Sequence, residues 1–183
     1  MLFRSVVIIG AGTIGLGTLM AARAAGAGRV IVLEMSSVRT AKAKECGADV
    51  VLDPRSCNAV ETVRAMTGGS GADVAFECVG HKDTGPLAVE LIRNAGRAII
   101  VGIFEEPSSF NFFSLSGTDK RLIGTLAYTL ADFKGVAALL ANGRLSAEPL
   151  ITGRIGLEEI VEKGFVELLT NKDAHIKILV RPE

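Results

Sequence analysis

The chain has 183 residues, 49% of them apolar, and its 20 Lys and Arg balance 20 Asp and Glu at a formal net charge of zero. That length suits one sizeable α/β domain, or one domain with an appendage, and the charge balance argues against a nucleic-acid surface or an anionic-membrane footprint. Gly, Arg and Glu interrupt every apolar run short of bilayer-spanning length, the N-terminus lacks a signal-peptide layout, and three scattered cysteines, Cys46, Cys57 and Cys78, fit free thiols in a cytoplasmic protein.

In chain order, RSVVIIG, RVIVLEM, DVVLD, ADVAFECVG and RAIIVGIF are near-continuous apolar runs, as expected for strands covered on both faces. Between them lie TIGLGTLMAARAAG, SSVRTAKAKECG, CNAVETVRAMTGG and DTGPLAVELIRNAG, which read as helices. Ser36 and Cys57–Asn58 sit at N-cap positions, and Gly26, Gly47, Gly68 and Gly96 at C-terminal stops. Five alternations with short connections predict a doubly wound parallel sheet of the Rossmann type. After Ile103 the rhythm changes. SSFNFF reads as a short strand around Phe110, Phe112 and Phe113, and RLIGTL as a sixth strand. A helix (DFKGVAALLANG), a strand (PLITGRI), a helix (LEEIVEKGFVELLTN) and a strand (HIKILV) follow as a C-terminal appendage, too thin for an independent domain. The expected division is 1–126 and 127–183.

Gly10-Ala11-Gly12-Thr13-Ile14-Gly15 fits G-x-G-x-x-G between a strand and a helix, with an acid, Glu34, closing the next strand. Gly10 permits a tight turn, Gly12 lets backbone approach a pyrophosphate, and Gly15 lets the helix pack closely. Free N–H groups at Thr13 and Ile14 would then donate to phosphate at the positive end of the helix dipole. Glu34 suits both ribose hydroxyls and would repel a 2′-phosphate, so NAD is expected over NADP. Arg39 is placed to lie over the adenine or reach a phosphate, the alternative being a solvated helix charge. Backbone at Cys78–Val79 and at Val101-Gly102-Ile103 ends two further strands, where ligands of open α/β sheets bind.

Groups for chemistry on a substrate are not evident. Cys78-x-x-His81 resembles a metal half-site, but zinc needs at least three protein ligands and nothing else clusters with the pair. His175 opens the last strand, and Tyr128 has Asp132, not Lys, four residues on. No G-x-S-x-G or Cys–His nucleophile pattern occurs. The expected catalytic set is empty.

VVIIGAGTIGLGTLMAARAAGA, the E-x-x-x-x-R of Glu34 to Arg39, AKECGAD, GADVAFECVG, IIVGIF and the run from GRLSAEPLITG to HIKILV together resemble the zinc-type medium-chain alcohol dehydrogenases, in the butanediol, sorbitol and threonine dehydrogenase branch. The resemblance covers essentially the whole chain. It implies that Gly10, Gly12, Thr13, Ile14 and Gly15 form the pyrophosphate loop, that Glu34 and Arg39 face the adenosine, and that Val101 to Ile103 hold the nicotinamide. It also implies that residues 127–183 pack against a GroES-like domain carrying the catalytic zinc, which these residues do not include. The intact enzyme would oxidise a secondary alcohol to a ketone, with zinc polarising the oxygen. The resemblance further implies a homodimer through an edge strand near Ser109–Phe113, and an unpaired edge strand would be a liability unless covered. Two alternatives stand beside this reading: a non-catalytic NAD-binding sensor or interaction module, and a methyltransferase-like domain, whose sheet usually carries a reversed strand.

Overall fold

The computed structural model describes residues 5–182. The first predicted strand began at Arg4, which lies outside those residues, as do the outer domain limits at 1 and 183. Six strands form one sheet: β1 (Ser5–Ile9), β2 (Arg29–Leu33), β3 (Val50–Leu52), β4 (Ala72–Glu77), β5 (Ile92–Ile100) and β6 (Arg121–Gly124). Their order is β3-β2-β1-β4-β5-β6 and every pairing is parallel, so the reversed strand of a methyltransferase-like sheet is not present in it. Helices α1 (Thr13–Ala24), α2 (Ser37–Glu45), α3 (Ala59–Met66) and α4 (Thr84–Leu91) make the crossovers. Beyond the sheet lie α5 (Phe113–Ser116), α6 (Leu130–Ala141), β7 (Ile151–Gly156), α7 (Glu167–Thr170) and β8 (Lys177–Arg181), with β7 and β8 paired in parallel.

The continuous apolar runs are explained by burial on both faces. Val7, Ile9, Ile31 and Leu33 pack with Val63, Val89 and Leu91 on one side, while Val6, Ile8, Val30 and Val32 pack with Leu16 and Leu19 on the other. Consecutive residues of one strand therefore serve two cores. Ser36 and Asn58 cap α2 and α3 by accepting N–H bonds from Arg39 and Glu61, and Gly26, Gly47 and Gly68 take positive φ just past the helices they follow.

The fourth helix departs from expectation. It ends at Leu91, and Ile92 is drawn into the sheet opposite Ala72. Gly71 makes this possible, because a Cβ there would lie 2.8 Å from the Ile92 carbonyl carbon. The Arg93 guanidinium holds the turn through a 2.7 Å bond to Asp73. The positive φ falls on Ala95 rather than Gly96. The C-terminal predicted helix is also broken up, into a 3₁₀ turn at Leu157–Glu159, a π-helical stretch at Ile160–Val166 and then α7.

SSFNFF is not a strand in this chain. Asn111 accepts an N–H bond from Phe113 through its side chain and one from the Ser114 hydroxyl through its carbonyl, and these bonds wind the segment into the single turn of α5. Phe110 packs against the core, while Phe112 and Phe113 remain exposed.

The tightest backbone approach joins α1 to the loop before it. A Cβ on Gly15 would sit 1.9 Å from the Gly10 carbonyl oxygen, a clash no rotamer relieves. Gly15→Ala is expected to push α1 off the sheet and destabilise the chain by about 2–3 kcal/mol, within the usual range for overpacking. Urea unfolding of the two proteins measures it.

Candidate functional site

Register brings the loops of the site together. Ile9 lies level with Leu33 on one side and Glu77 on the other, so Gly10, Glu34 and Cys78 leave the sheet at the same edge. The ladder runs one step further, with Gly10 N donating to Leu33 O at 2.8 Å and Cys78 N to Ile9 O at 3.0 Å. Strand order reverses here, β2 lying on one side of β1 and β4 on the other, which is where open α/β sheets form a ligand crevice. The crevice has a volume of about 570 Å³ and is mostly apolar.

Its floor is the glycine loop. Gly10 has φ +90°, and a Cβ on it would meet a Val79 methyl carbon at 2.6 Å. Gly12 has only open space where a Cβ would be, and as the N-cap of α1 it offers no side chain to the helix's free N–H groups. No acid sits in the first turn either. A twelve-residue helix thus presents uncapped donors and its positive dipole end to the crevice, the arrangement a pyrophosphate needs.

Glu34 is buried at the tip of β2. Its Oε2 accepts from Ala11 N at 2.7 Å, and its Oε1 accepts from Met35 N and Ser36 N at 2.8 Å each. The carboxylate therefore ties the glycine loop to the β2–α2 turn, and the remaining acceptor capacity of Oε2 is available for a ribose hydroxyl. Arg39 lies on the same wall, half-buried, its guanidinium 3.7 Å from Asp173. Arg55 reaches across to the Met35 carbonyl at 2.7 Å, and its hydrogen bond to Asp53 holds that carboxyl below the usual range.

The remaining predicted residues divide. Cys78 and Val79 line the crevice with Ile9, Gly10, Gly12, Glu34 and Arg39. Thr13 turns its hydroxyl away, to the Ile176 carbonyl at 2.6 Å, and Ile14 projects outward. Gly15 acts by packing. Val101, Gly102 and Ile103 lie off the crevice wall and interlock with the turn after β4, since a Cβ on Gly80 would lie 2.2 Å from the Ile103 carbonyl oxygen. Sequence reasoning missed Met35, Pro54, Thr84 and Leu87 as wall residues and left His81 as a loop histidine, although it too lines the crevice. The rule that ligands lie beyond the carboxyl ends of strands, applied to β3 and to the β4–α4 connection, would have pointed to them.

A match to the family model of zinc-binding dehydrogenases covers residues 13–142. The chain belongs to that family. Among its relatives, the (R,R)-butanediol dehydrogenase of Neisseria gonorrhoeae is 38% identical over 174 residues, which is 94% of this chain and 49% of the relative. The crystal structure of 2R,3R-butanediol dehydrogenase from Bacillus subtilis superposes with a TM-score of 0.91 at 32% identity, over 98% of this chain and 51% of that one. A zinc-binding dehydrogenase structure from Sinorhizobium meliloti 1021 that holds NADP is 29% identical with a TM-score of 0.87, over 98% of this chain and 52% of that one. The chain thus spans about half the length of the curated relatives it matches. Fold and family together make this an NAD-binding domain. The residues for zinc are another matter: among the described residues, no group of three or more His, Cys, Asp and Glu could hold a metal ion. Nor is any described helix long and apolar enough to cross a membrane.

Burial pushes the Cys78 thiol up from 9.0 to about 12, against the lowering contact from Thr18, while the Glu77 charge raises it further. That difference cuts its thiolate fraction about a thousandfold relative to an unperturbed thiol. Cys78 is expected to react with iodoacetamide at pH 8 at least ~100-fold more slowly in the folded chain than in urea. Mass spectrometry of the labelled peptides reads the two rates.

Proposed function

We propose that residues 1–126 bind NAD across the crevice and that residues 127–183 are the segment that packs against a GroES-like catalytic domain outside these 183 residues. In this reading Gly10, Gly12, Thr13, Ile14 and Gly15 carry the pyrophosphate, Glu34 and Arg39 the adenosine, and Cys78, Val79 and Val101 to Ile103 the nicotinamide half. NAD supplies the hydride acceptor when bound. The chain's own task is to orient it, and no residue of the chain is assigned a catalytic proton or a metal. The whole protein would oxidise a secondary alcohol, a diol or polyol, to a ketone. The similarity to butanediol dehydrogenases favours a diol.

The observation that carries the cofactor reading is Glu34, a buried carboxylate fixed by three amides beside the open position at Gly12. A 2′-phosphate placed where Glu34 meets the ribose would be repelled by that charge. Apolar side chains left exposed at Leu126, Tyr128, Leu130 and Phe133 favour a covering partner for the C-terminal part. We further propose a homodimer through the region of Ser109–Phe113, supported by the exposed Phe112 and Phe113 in the segment that precedes the edge strand β6.

Calorimetric titration with NADH and then NADPH tests the cofactor reading, and a relative that holds NADP makes the second titration necessary. The expected result is saturable NADH binding at least tenfold tighter than NADPH, with the gap narrowing in Glu34→Ser. Equal binding, or none, counts against it. Sedimentation velocity at micromolar concentration is expected to show dimers, which Phe112→Asp combined with Phe113→Asp converts to monomers.

A further inference from the structure

Glu77 is a second buried carboxylate at the same sheet edge. It ends β4 and is completely inaccessible to solvent. Its Oε1 accepts from Val79 N at 2.8 Å and from Gly80 N at 2.9 Å. Both bonds are accepted by the one oxygen, the role a carboxylate fills. Its own carbonyl accepts from Val101 N and Gly102 N, tying the turn after β4 to the turn after β5. Its Oε2 is buried without a hydrogen-bond partner among the described residues and points at Gly102, where a Cβ would lie 2.5 Å away. No described cation pairs with it.

A buried, unneutralised negative charge is costly unless something compensates it. The position of Glu77 says what does. On the NAD reading, with Glu34 and Arg39 marking the adenosine side over β2, the other half of a dinucleotide would extend past the crevice wall over the ends of β4 and β5, where Glu77 and Gly102 lie. The oxidised nicotinamide ring is a cation and the reduced ring is neutral. We infer that Glu77 is a specificity-determining residue for the cofactor's redox state, its buried charge favouring NAD⁺ over NADH through the backbone of Gly102. The inference rests on the NAD reading of the crevice. In a low-dielectric setting a unit charge across one backbone layer is worth on the order of tenfold in affinity. Tenfold in the ratio of dissociation constants corresponds to about 30 mV in the two-electron potential of the bound cofactor.

The test is the ratio of NAD⁺ to NADH dissociation constants, measured calorimetrically on the full chain and on three variants. Glu77→Gln keeps the size and removes the charge, and it is expected to weaken NAD⁺ about tenfold while changing NADH less than twofold. Glu77→Asp keeps the charge on a shorter arm, and Gly102→Ala keeps the charge while crowding Gly80 N at 2.4 Å. Each of these is expected to weaken both forms alike and leave the ratio intact. A Glu77→Gln variant that weakens both forms equally, or neither, overturns the inference while leaving NAD binding standing. If Glu77→Gln does not fold, Glu77→Asp decides: a preserved ratio supports the charge, and a ratio shifted toward NADH overturns it. A wild-type chain that binds neither form overturns the cofactor reading itself, and this inference with it.

Discussion

Three amide N–H groups from two separate turns converge on one carboxylate, and the cofactor crevice depends on that convergence. Ala11 belongs to the glycine loop, while Met35 and Ser36 belong to the turn after β2. Glu34, itself largely buried, satisfies all of them with short, charge-assisted bonds. Removing the carboxylate would take the shared acceptor from all three amides, the buried Ala11 N–H among them. The parallel register of β1 with β2 delivers both turns to the same edge, and the close approach of Gly15 to Gly10 holds α1 behind them. The positive end of α1 is thereby aimed at the crevice before any ligand arrives.

The sheet was readable because apolar runs covered on both faces alternate with helices along the first hundred residues. Ser36, Asn58, Gly26 and Gly47 mark their boundaries by local chemistry, and the structure agrees with each. Gly96 misled because its role is not local. The helix before it is cut short by Gly71 and Asp73, which meet Ile92 and Arg93 from another strand. SSFNFF misled for the opposite reason. Its aromatic content favours a strand, but Asn111 captures the neighbouring backbone and turns it. In the site, the glycines and Glu34 were legible from spacing, whereas Pro54, Thr84 and Leu87 have no motif and reach the wall only through topology.

The two parts of the chain bury their apolar surface very differently. The strands β1 and β2 are closed off by helices on both faces, yet β6 and α6 leave Leu122, Ile123, Phe133 and Val136 exposed. Even so, latches among the described residues join the C-terminal segment to the cofactor half, including Thr13 to the Ile176 carbonyl, Arg39 to Asp173, and Arg144 to the Ala24 carbonyl. Two of these latches fall on α1, at its first turn and at its end, and the third on α2, on the crevice wall.

The central claim is that Glu34 assembles the crevice in advance of the cofactor. Amide hydrogen exchange by NMR on the cofactor-free chain, wild type against Glu34→Ala, tests it most directly. The account predicts that Ala11, Met35 and Ser36 are protected in the wild type and lose on the order of tenfold or more of that protection in the variant, with the amides of Leu16 and Val32 unchanged. Equal protection of Ala11, Met35 and Ser36 in both proteins would contradict it.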